Sequence, residues 1–319
     1  ELSALKDKAL IGADFVAWIK SVISAKAAVG DAELEQAMQA GVGALSASGT
    51  LVVGDIANMD FSRALFCNSP LSGVRFQEYL GPDHENINKC EQIRIDKSFS
   101  LAGHAPHTTA SDLLVRLKKS TRDAGLPFSL HLAESTEEME FMATGKGEWA
   151  DFLEERGFDP SIIRSPGENS VEYADRLGIL DETTLAVHLV FADKQDILLL
   201  RKRNASVCLC PRSNMMLHGR LPYIDAMVAV GLNLCLGTDS LASNDSLSLF
   251  DEMRFLARAF PGISPKQILS MATIGGATAL GYENRFGSLA PGFAAKMIYV
   301  PVTDLTPENV LHCLVNGDF

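Results

Sequence analysis

The chain has 319 residues, 28 basic and 40 acidic side chains and a formal net charge of −12, and apolar residues make up 47 % of it. This is the composition of a globular protein with enough apolar side chains for a sizeable core. Nucleic acids and anionic membranes are bound through concentrated positive charge, which this sequence lacks, so the charge excludes both classes and favours a small-molecule partner.

Seven short, continuously apolar runs predict strands, and helical patterns alternate with them. The predicted strands cover residues 50–56, 74–80, 98–103, 127–132, 184–189, 206–210 and 232–237. The predicted helices cover residues 15–27, 110–124, 194–203, 222–230, 247–258 and 264–280. Strands that are apolar on both faces and alternate with helices are typical of a parallel sheet. The sequence therefore predicts an α/β fold of the (β/α)8 TIM-like barrel type.

Seven strands are one fewer than a closed barrel of this type needs. The helical pattern over residues 15–27 comes before any strand, so we expect the first strand to lie upstream of residue 1. After residue 286 the pattern changes, with a turn at residues 289–292 and a predicted strand at 296–300 outside the barrel. We therefore expect a hydrolase-type barrel over residues 1–286 and a remnant of a small β-sandwich module over residues 287–319.

The sequence contains no run of about 20 apolar residues that would predict a membrane-spanning helix. It does not start with the basic segment and apolar core of a signal peptide. Six cysteines in a chain of this length do not form the spacing of a disulfide framework. We therefore expect a cytoplasmic protein, and the sequence leaves a homo-oligomer open.

Titratable residues follow several of the predicted strands. His104, His131, His188 and Asp239 lie at strand ends, where the active sites of parallel barrels are found. Glu134 follows His131 by three residues, so a metal ligand and a proton-transferring carboxylate would share one site. The alternatives are hydrogen-bonded core histidines, a glutamate that starts a helix and, for Asp239, a helix N-cap.

The motifs and their order resemble the amidohydrolase superfamily, and within it the mononuclear aminohydrolases that deaminate purines and adenosine-type nucleosides. The resembling segments are residues 103–109 (GHAPHTT), 131–134 (HLAE), 187–188 (VH), 210–214 (CPRSN), 237–240 (GTDS) and 242–245 (ASND). The resemblance covers nearly the whole chain. It implies a metal-dependent hydrolytic deaminase.

The resemblance also implies the roles of the strand-end residues. His131, Asp239 and His188 would hold one divalent metal, expected to be zinc, with iron or manganese as alternatives. Asp239 would take a proton from the water that the metal activates, and His188 would orient the hydroxide. Glu134 would protonate the ring nitrogen beside the attacked carbon and then the departing amine. Members of the family also carry a metal-binding His-x-His pair on the first strand, and we expect this pair upstream of Glu1. Without it, residues 1–319 would bind the metal weakly or not at all.

Four residues are expected to contact the substrate. His104 and Glu134 would face the ring, and His107 occupies the place of a tyrosine in many relatives. Arg212 would point over the site, where a guanidinium suits a carboxylate. This favours a 6-aminopurine nucleoside of the S-adenosylhomocysteine, methylthioadenosine or aminodeoxyfutalosine type, those with an acidic extension above all. The alternatives are that His107 is a loop residue without a role and that Arg212 pairs with a protein carboxylate.

Other functions remain open from the sequence. A guanine deaminase, a hydrolase that displaces chloride or one that cleaves a cyclic amide would use the same metal and Asp239. A catalytically inactive binding homologue would fit the absent His-x-His pair. The sequence assigns no role to Tyr79, His84, His218 or the loop at residues 86–91.

Overall fold

One parallel sheet organises the computed structural model, which describes residues 2–12, 14–59, 61–81, 93–162, 167–302 and 305–317. Its seven strands are ordered as they occur in the chain, so each strand pairs with the next one. The strands are β1 (Val52–Ala57), β2 (Ser72–Tyr79), β3 (Phe99–Gly103), β4 (Phe128–Leu132), β5 (Thr184–His188), β6 (Ser206–Leu209) and β7 (Asn233–Leu236). All seven predicted strands are confirmed, as is the parallel α/β class. His84 and the loop at residues 86–91 lie outside the described residues.

Helices precede, separate and follow the strands. They are α1 (Phe15–Ala28), α2 (Asp31–Ala47), α3 (Phe61–Cys67), α4 (Ser111–Asp123), α5 (Thr136–Thr144), α6 (Glu148–Glu155), α7 (Ser170–Arg176), α8 (Lys194–Arg203), α9 (Pro211–His218), α10 (Ile224–Ala229), α11 (Leu249–Ala259), α12 (Pro265–Met271), α13 (Ile274–Ala279) and α14 (Val310–Asn316). The single helix predicted over residues 264–280 is two helices, because the chain turns at Ala272 and Thr273 between α12 and α13. Among the described residues, none of the helices has both the length and the apolar composition needed to cross a bilayer.

The sheet curls, and its outer face is covered by helices. Leu130 and Leu132 of β4 belong to the core between the strands and the surrounding helices, whereas Val187 and Cys235 belong to a separate core inside the curl. Because side chains alternate along a strand, neighbouring positions supply the two cores in turn. The edge strands β1 and β7 are not paired with each other in the described part of the chain. An eighth strand and a closed barrel remain predictions.

The chain after residue 286 departs from the expectation. Residues 296–300, predicted as a strand, run as irregular chain, with Tyr299 89 % exposed. A strand forms only when its backbone pairs with another backbone, and among the described residues no strand pairs with this segment. The following helix α14 packs on α11 and α12. The division into a barrel over 1–286 and a β-module over 287–319 stays a prediction.

Candidate active site

The candidate site lies at the carboxyl ends of the strands, on the inner face of the curl. On β2, Val74 and Phe76 are inner-core residues, and Glu78 is the next position with the same orientation. His104 follows β3 and His131 lies within β4. The side chains line one cavity of about 1150 Å³. Its polar lining includes Glu78, His104, His107, His131, Glu134, His188 and Asp239.

His131 and His188 are held by hydrogen bonds on one side of each ring. The Nδ1–H of His131 donates to the carbonyl oxygen of His104 at 2.7 Å. The Nδ1–H of His188 donates to Oδ1 of Asn214, at the start of α9, at 2.9 Å. The two rings stack with their centroids 5.4 Å apart. Each imidazole therefore keeps its Nε2 atom for another partner, as metal-binding histidines do.

The pKa values of these histidines follow from their burial and neighbours. Burial and the nearby His104 and His188 lower the pKa of His131, and burial and His107 lower that of His104 to about 4. Burial also acts to lower the pKa of His188, but Glu134 and Asp239 outweigh it and raise the value. His104 and His131 are therefore neutral at physiological pH, which is the form that binds cations.

Asp239 is fixed by three hydrogen bonds. Its Oδ2 accepts from the hydroxyls of Ser213 and Ser243, each at 2.7 Å, and its Oδ1 accepts from the amide of Ser240 at 2.8 Å. Its φ of 56° is a left-handed conformation that is uncommon for a residue with a side chain. The next helix, α11, has Ser248 as its N-cap, so Asp239 does not cap it.

Glu134 lies between two imidazoles. Its Oε1 is 3.5 Å from Nε2 of His188 and 3.7 Å from Nε2 of His218, whose ring packs against Phe15 and Phe191. Burial acts to raise the pKa of Glu134, but His188 and His218 outweigh it and keep the carboxyl group ionised. The alternative that Glu134 starts a helix is wrong, because α5 begins at Thr136 with Ser135 as its N-cap.

The donor atoms at the site fit a divalent cation. Glu78, His104 and His131 each place one donor atom within 4.8 Å of the other two. The Nδ1 of His104 is 2.6 Å from the hydroxyl of Thr108, which leaves its Nε2 available as a ligand atom for a cation. Neutral imidazoles and carboxylates are the ligands that Zn²⁺ takes in catalytic sites. The structure thus places the rings of His131 and His188 side by side and adds Glu78 and His104 as possible ligands of a cation. The predicted ligand set of His131, His188 and Asp239 stays a prediction.

Arg212 does not face the cavity. Its guanidinium pairs with Asp245 and lies 3.9 Å from Asp251, and it is not among the described residues that line the cavity. The structure therefore favours the alternative in which this arginine pairs with protein carboxylates. The backbone amide of Arg212 donates a hydrogen bond to Oε2 of the buried Glu252 at 3.1 Å.

His107 is a buried residue of the cavity wall. Only 2 % of it is exposed, and the indole N–H of Trp149 donates to its carbonyl oxygen at 3.2 Å. Its Nδ1 lies 3.7 Å from Oε1 of Glu138 on α5. His107 is therefore a loop residue with defined contacts in the cavity wall, and its contact with a substrate remains a prediction.

Several residues of the site have no assigned role in the sequence analysis. Glu78 could have been found, because it continues the inward alternation of Val74 and Phe76 within a predicted strand. His218 and Glu138 lie on helices and reach the site only through tertiary packing. No local pattern of the sequence indicates either of them.

Imidazole and carboxylate groups that meet at the carboxyl edge of a curled parallel sheet are typical of α/β enzymes of the barrel type. The profile of the Amidohydrolase family matches residues 8–319, and the chain belongs to this family.

The chain is also similar to characterised relatives and to solved structures. The aminodeoxyfutalosine deaminase of Deinococcus radiodurans is 31 % identical over 269 residues, which are 78 % of this chain and 64 % of the relative. The 5-methylthioadenosine/S-adenosylhomocysteine deaminase of Moorella thermoacetica is 32 % identical over 218 residues, 66 % of this chain and 46 % of the relative. The crystal structure of Helicobacter pylori aminofutalosine deaminase in complex with methylthio-coformycin superposes with a TM-score of 0.83 at 28 % identity, covering 99 % of this chain and 80 % of that one. The chain thus spans about half to two thirds of the length of these curated relatives.

Proposed function

We propose that the chain is a metal-dependent hydrolase that removes the exocyclic amine of a 6-aminopurine nucleoside as ammonia. The observation that carries this proposal is the ionised carboxylate of Glu134, held between Nε2 of His188 and Nε2 of His218 beside the stacked His131 and His188 rings. Such a buried carboxylate is suited to moving protons between water and a substrate. The names of the relatives, which are deaminases of adenosine-type nucleosides, support the same reaction class.

The site would be completed by one divalent cation, and zinc suits its imidazole and carboxylate donors. His131, His188 and Asp239 would hold the cation, and all three line the same cavity. Glu78 and His104 offer further ligand atoms, which lie within 4.8 Å of a ligand atom of His131. When bound, it would supply Lewis acidity that lowers the pKa of water towards neutrality.

The protein's own groups would then move the protons. Asp239, oriented by Ser213 and Ser243, would accept a proton from the attacking water. Glu134 is ionised before the reaction, so it must first take up a proton before it can give one to the ring nitrogen beside the attacked carbon. After that transfer Glu134 is a carboxylate again, so it would take the second proton of the attacking water and pass it to the exocyclic nitrogen. Asp239 would release its proton to solvent, which balances the proton that Glu134 first took up. The bond between that carbon and the exocyclic nitrogen would then break, and the nitrogen would leave as ammonia. His188, fixed by Asn214, would orient the water.

The substrate class follows from the relatives and from the shape of the site. His104 and His107 line the cavity together with the aromatic rings of Phe15, Trp18 and Trp149, which offer apolar contact to a purine. Because Arg212 pairs with Asp245, this arginine gives no reason to prefer a substrate with a carboxylate. S-adenosylhomocysteine, methylthioadenosine and aminodeoxyfutalosine are therefore proposed as one class.

Ultraviolet spectra test the proposal, because loss of the amine converts the adenine spectrum to that of hypoxanthine. The metal-loaded protein is mixed with adenosine, the three proposed nucleosides or guanine, and spectra are recorded over time. We expect the conversion with at least one nucleoside, and a fall of its rate by about 10²- to 10⁴-fold in Glu134→Gln. The rate should be retained in Glu140→Gln, which changes an exposed glutamate on α5, the helix that follows Glu134. Turnover of guanine alone would support a guanine deaminase. Bound metal without any turnover would contradict the proposal and favour another amidohydrolase or a binding homologue.

A further inference from the structure

The buried carboxylate of Glu138 contacts the turn that carries Glu134. Glu138 is fully buried on α5, and its two oxygens accept the backbone N–H groups of Ala133 and Glu134, each at 2.8 Å. The hydroxyl of Ser170, at the start of α7, donates to Oε1 as well. The Nδ1 of His107 lies 3.7 Å from the same oxygen. One carboxylate thus joins the turn after β4, the loop after β3 and helix α7.

Helix capping alone does not explain these contacts. Ser135 is the N-cap of α5, and its hydroxyl accepts the N–H of Glu138, the third residue of the helix, at 3.1 Å. In a complete capping box the carboxylate of that third residue would return to the N–H of the N-cap residue. In this protein it instead reaches the two preceding peptides, which lie outside the helix.

The turn needs such support because its backbone is strained. Ala133 has a φ of 48°, a left-handed conformation that an alanine adopts only at a cost in free energy. The direction of the Ala133 peptide decides where the next side chain, Glu134, points. In the structure that side chain lies between the imidazoles of His188 and His218.

We propose that Glu138 is a positioning residue, which fixes the strained turn at Ala133 and so aims Glu134 at the reacting atoms. The inference rests on the proposed function, since it assigns to Glu138 an effect that passes through the proton transfer by Glu134. Glu138 touches neither substrate nor cation in this role. Through its contact with His107, the same carboxylate also supports a second residue that lines the cavity.

The variant Glu138→Gln tests the proposal. Glutamine keeps one acceptor oxygen, but its NH₂ group meets one of the two backbone N–H donors, so the turn loses a hydrogen bond. We expect kcat to fall by about 10- to 100-fold, as for other supports of catalytic groups, while KM stays within about twofold. Measurements of kcat for Glu134→Gln alone and for the double variant complete a double-mutant cycle. In the Glu134→Gln background, Glu138→Gln should reduce kcat no further, whereas a full additional loss would show that Glu138 acts independently of Glu134 and overturn the proposal.

A milder variant guards against misfolding. Ser170→Ala removes one donor to Glu138 without touching the turn, and we expect a smaller loss of kcat, about threefold to tenfold, with KM unchanged. Ser100→Ala is its matched control, because Ser100 is equally buried and donates to the carbonyl oxygen of Pro127 at the other end of β4. Equal losses of kcat in the two serine variants would contradict the proposal.

Amide hydrogen exchange separates this inference from the proposed function, because it needs no turnover. In Glu138→Gln the amides of Ala133 and Glu134 should exchange at least about tenfold faster, while those in the middle of α5 keep their protection. Unchanged exchange at these two amides would overturn the positioning role, even if the protein is an active deaminase. If no nucleoside is deaminated but exchange accelerates, the proposed function fails and the support of the turn by Glu138 stands.

Discussion

The buried carboxyl group of Glu252 predicts a loss of stability as the pH rises. Its Oε1 accepts from the side-chain amide of Asn244 at 2.8 Å and its Oε2 from the backbone amide of Arg212 at 3.1 Å. Burial nevertheless dominates and raises the pKa of Glu252 from its usual 4.5 to about 7. The ionised form is therefore disfavoured in the folded protein.

The sign and size of the effect follow from these two values. Below pH 4.5 the carboxyl group is protonated in both the folded and the unfolded chain, so its burial as an ion costs nothing. Between pH 4.5 and about 7 the unfolded chain releases the proton and the folded chain keeps it, so the free energy of unfolding falls with rising pH. One pKa unit corresponds to about 1.4 kcal/mol, so the loss is about 3 kcal/mol when it is complete above pH 7.

Glu252→Gln removes this ionisation. Urea denaturation of the wild-type protein and of the variant between pH 4.5 and 8 measures the difference in their free energies of unfolding. We expect that difference to move in favour of the variant by about 3 kcal/mol over this range. The exposed Glu182→Gln serves as control and should follow the wild type. If the wild type and Glu252→Gln show the same pH dependence, the reasoning from burial is wrong.

Three further predictions concern other described contacts. Asn214→Ala removes the hydrogen-bond acceptor that fixes the ring of His188. We expect the affinity for Zn²⁺, measured by calorimetric titration, to fall about 10- to 100-fold. Unchanged affinity would show that His188 does not bind the cation. Lys118→Met breaks the buried contacts of the ammonium group with Asp181, Thr183 and Thr184, and urea denaturation should show a loss of about 3 kcal/mol. Arg212→Ala should leave the ratio of KM values for S-adenosylhomocysteine and methylthioadenosine within about twofold, because less than 1 kcal/mol of substrate discrimination is at stake. A rise of KM for S-adenosylhomocysteine alone would show that Arg212 contacts the carboxylate of this substrate and would contradict the prediction.

The strands could be predicted because their apolar runs are local signals. Most of the runs are buried on both faces of the sheet, so their composition alone identifies them, whereas the edge strand β1 is only partly buried. The same reasoning fails at residues 296–300, which are also largely apolar, because a strand further requires a neighbouring backbone. That requirement cannot be read from the segment itself.

The sequence predicts the site residues that directly follow strands. It does not predict those whose side-chain contacts depend on tertiary packing. His104, His131 and Asp239 were identified because strand ends of a parallel sheet meet at one edge. Arg212 also follows a strand, but its long side chain turns to Asp245, 33 residues later in the chain. His218 is the last residue of α9, and its Nε2 lies 3.7 Å from Oε1 of Glu134 only because the chain folds back in three dimensions.

The position of the two tryptophans gives the protein a built-in optical reporter. The sequence has only two, Trp18 and Trp149, and both are buried. The indole N–H of Trp149 donates to the carbonyl oxygen of His107, and that of Trp18 donates to the carbonyl oxygen of Ala242, three residues after Asp239, at 3.3 Å. Both indoles also line the cavity. Their intrinsic fluorescence should therefore change when a nucleoside enters, so that ligands can be screened without a label and without turnover.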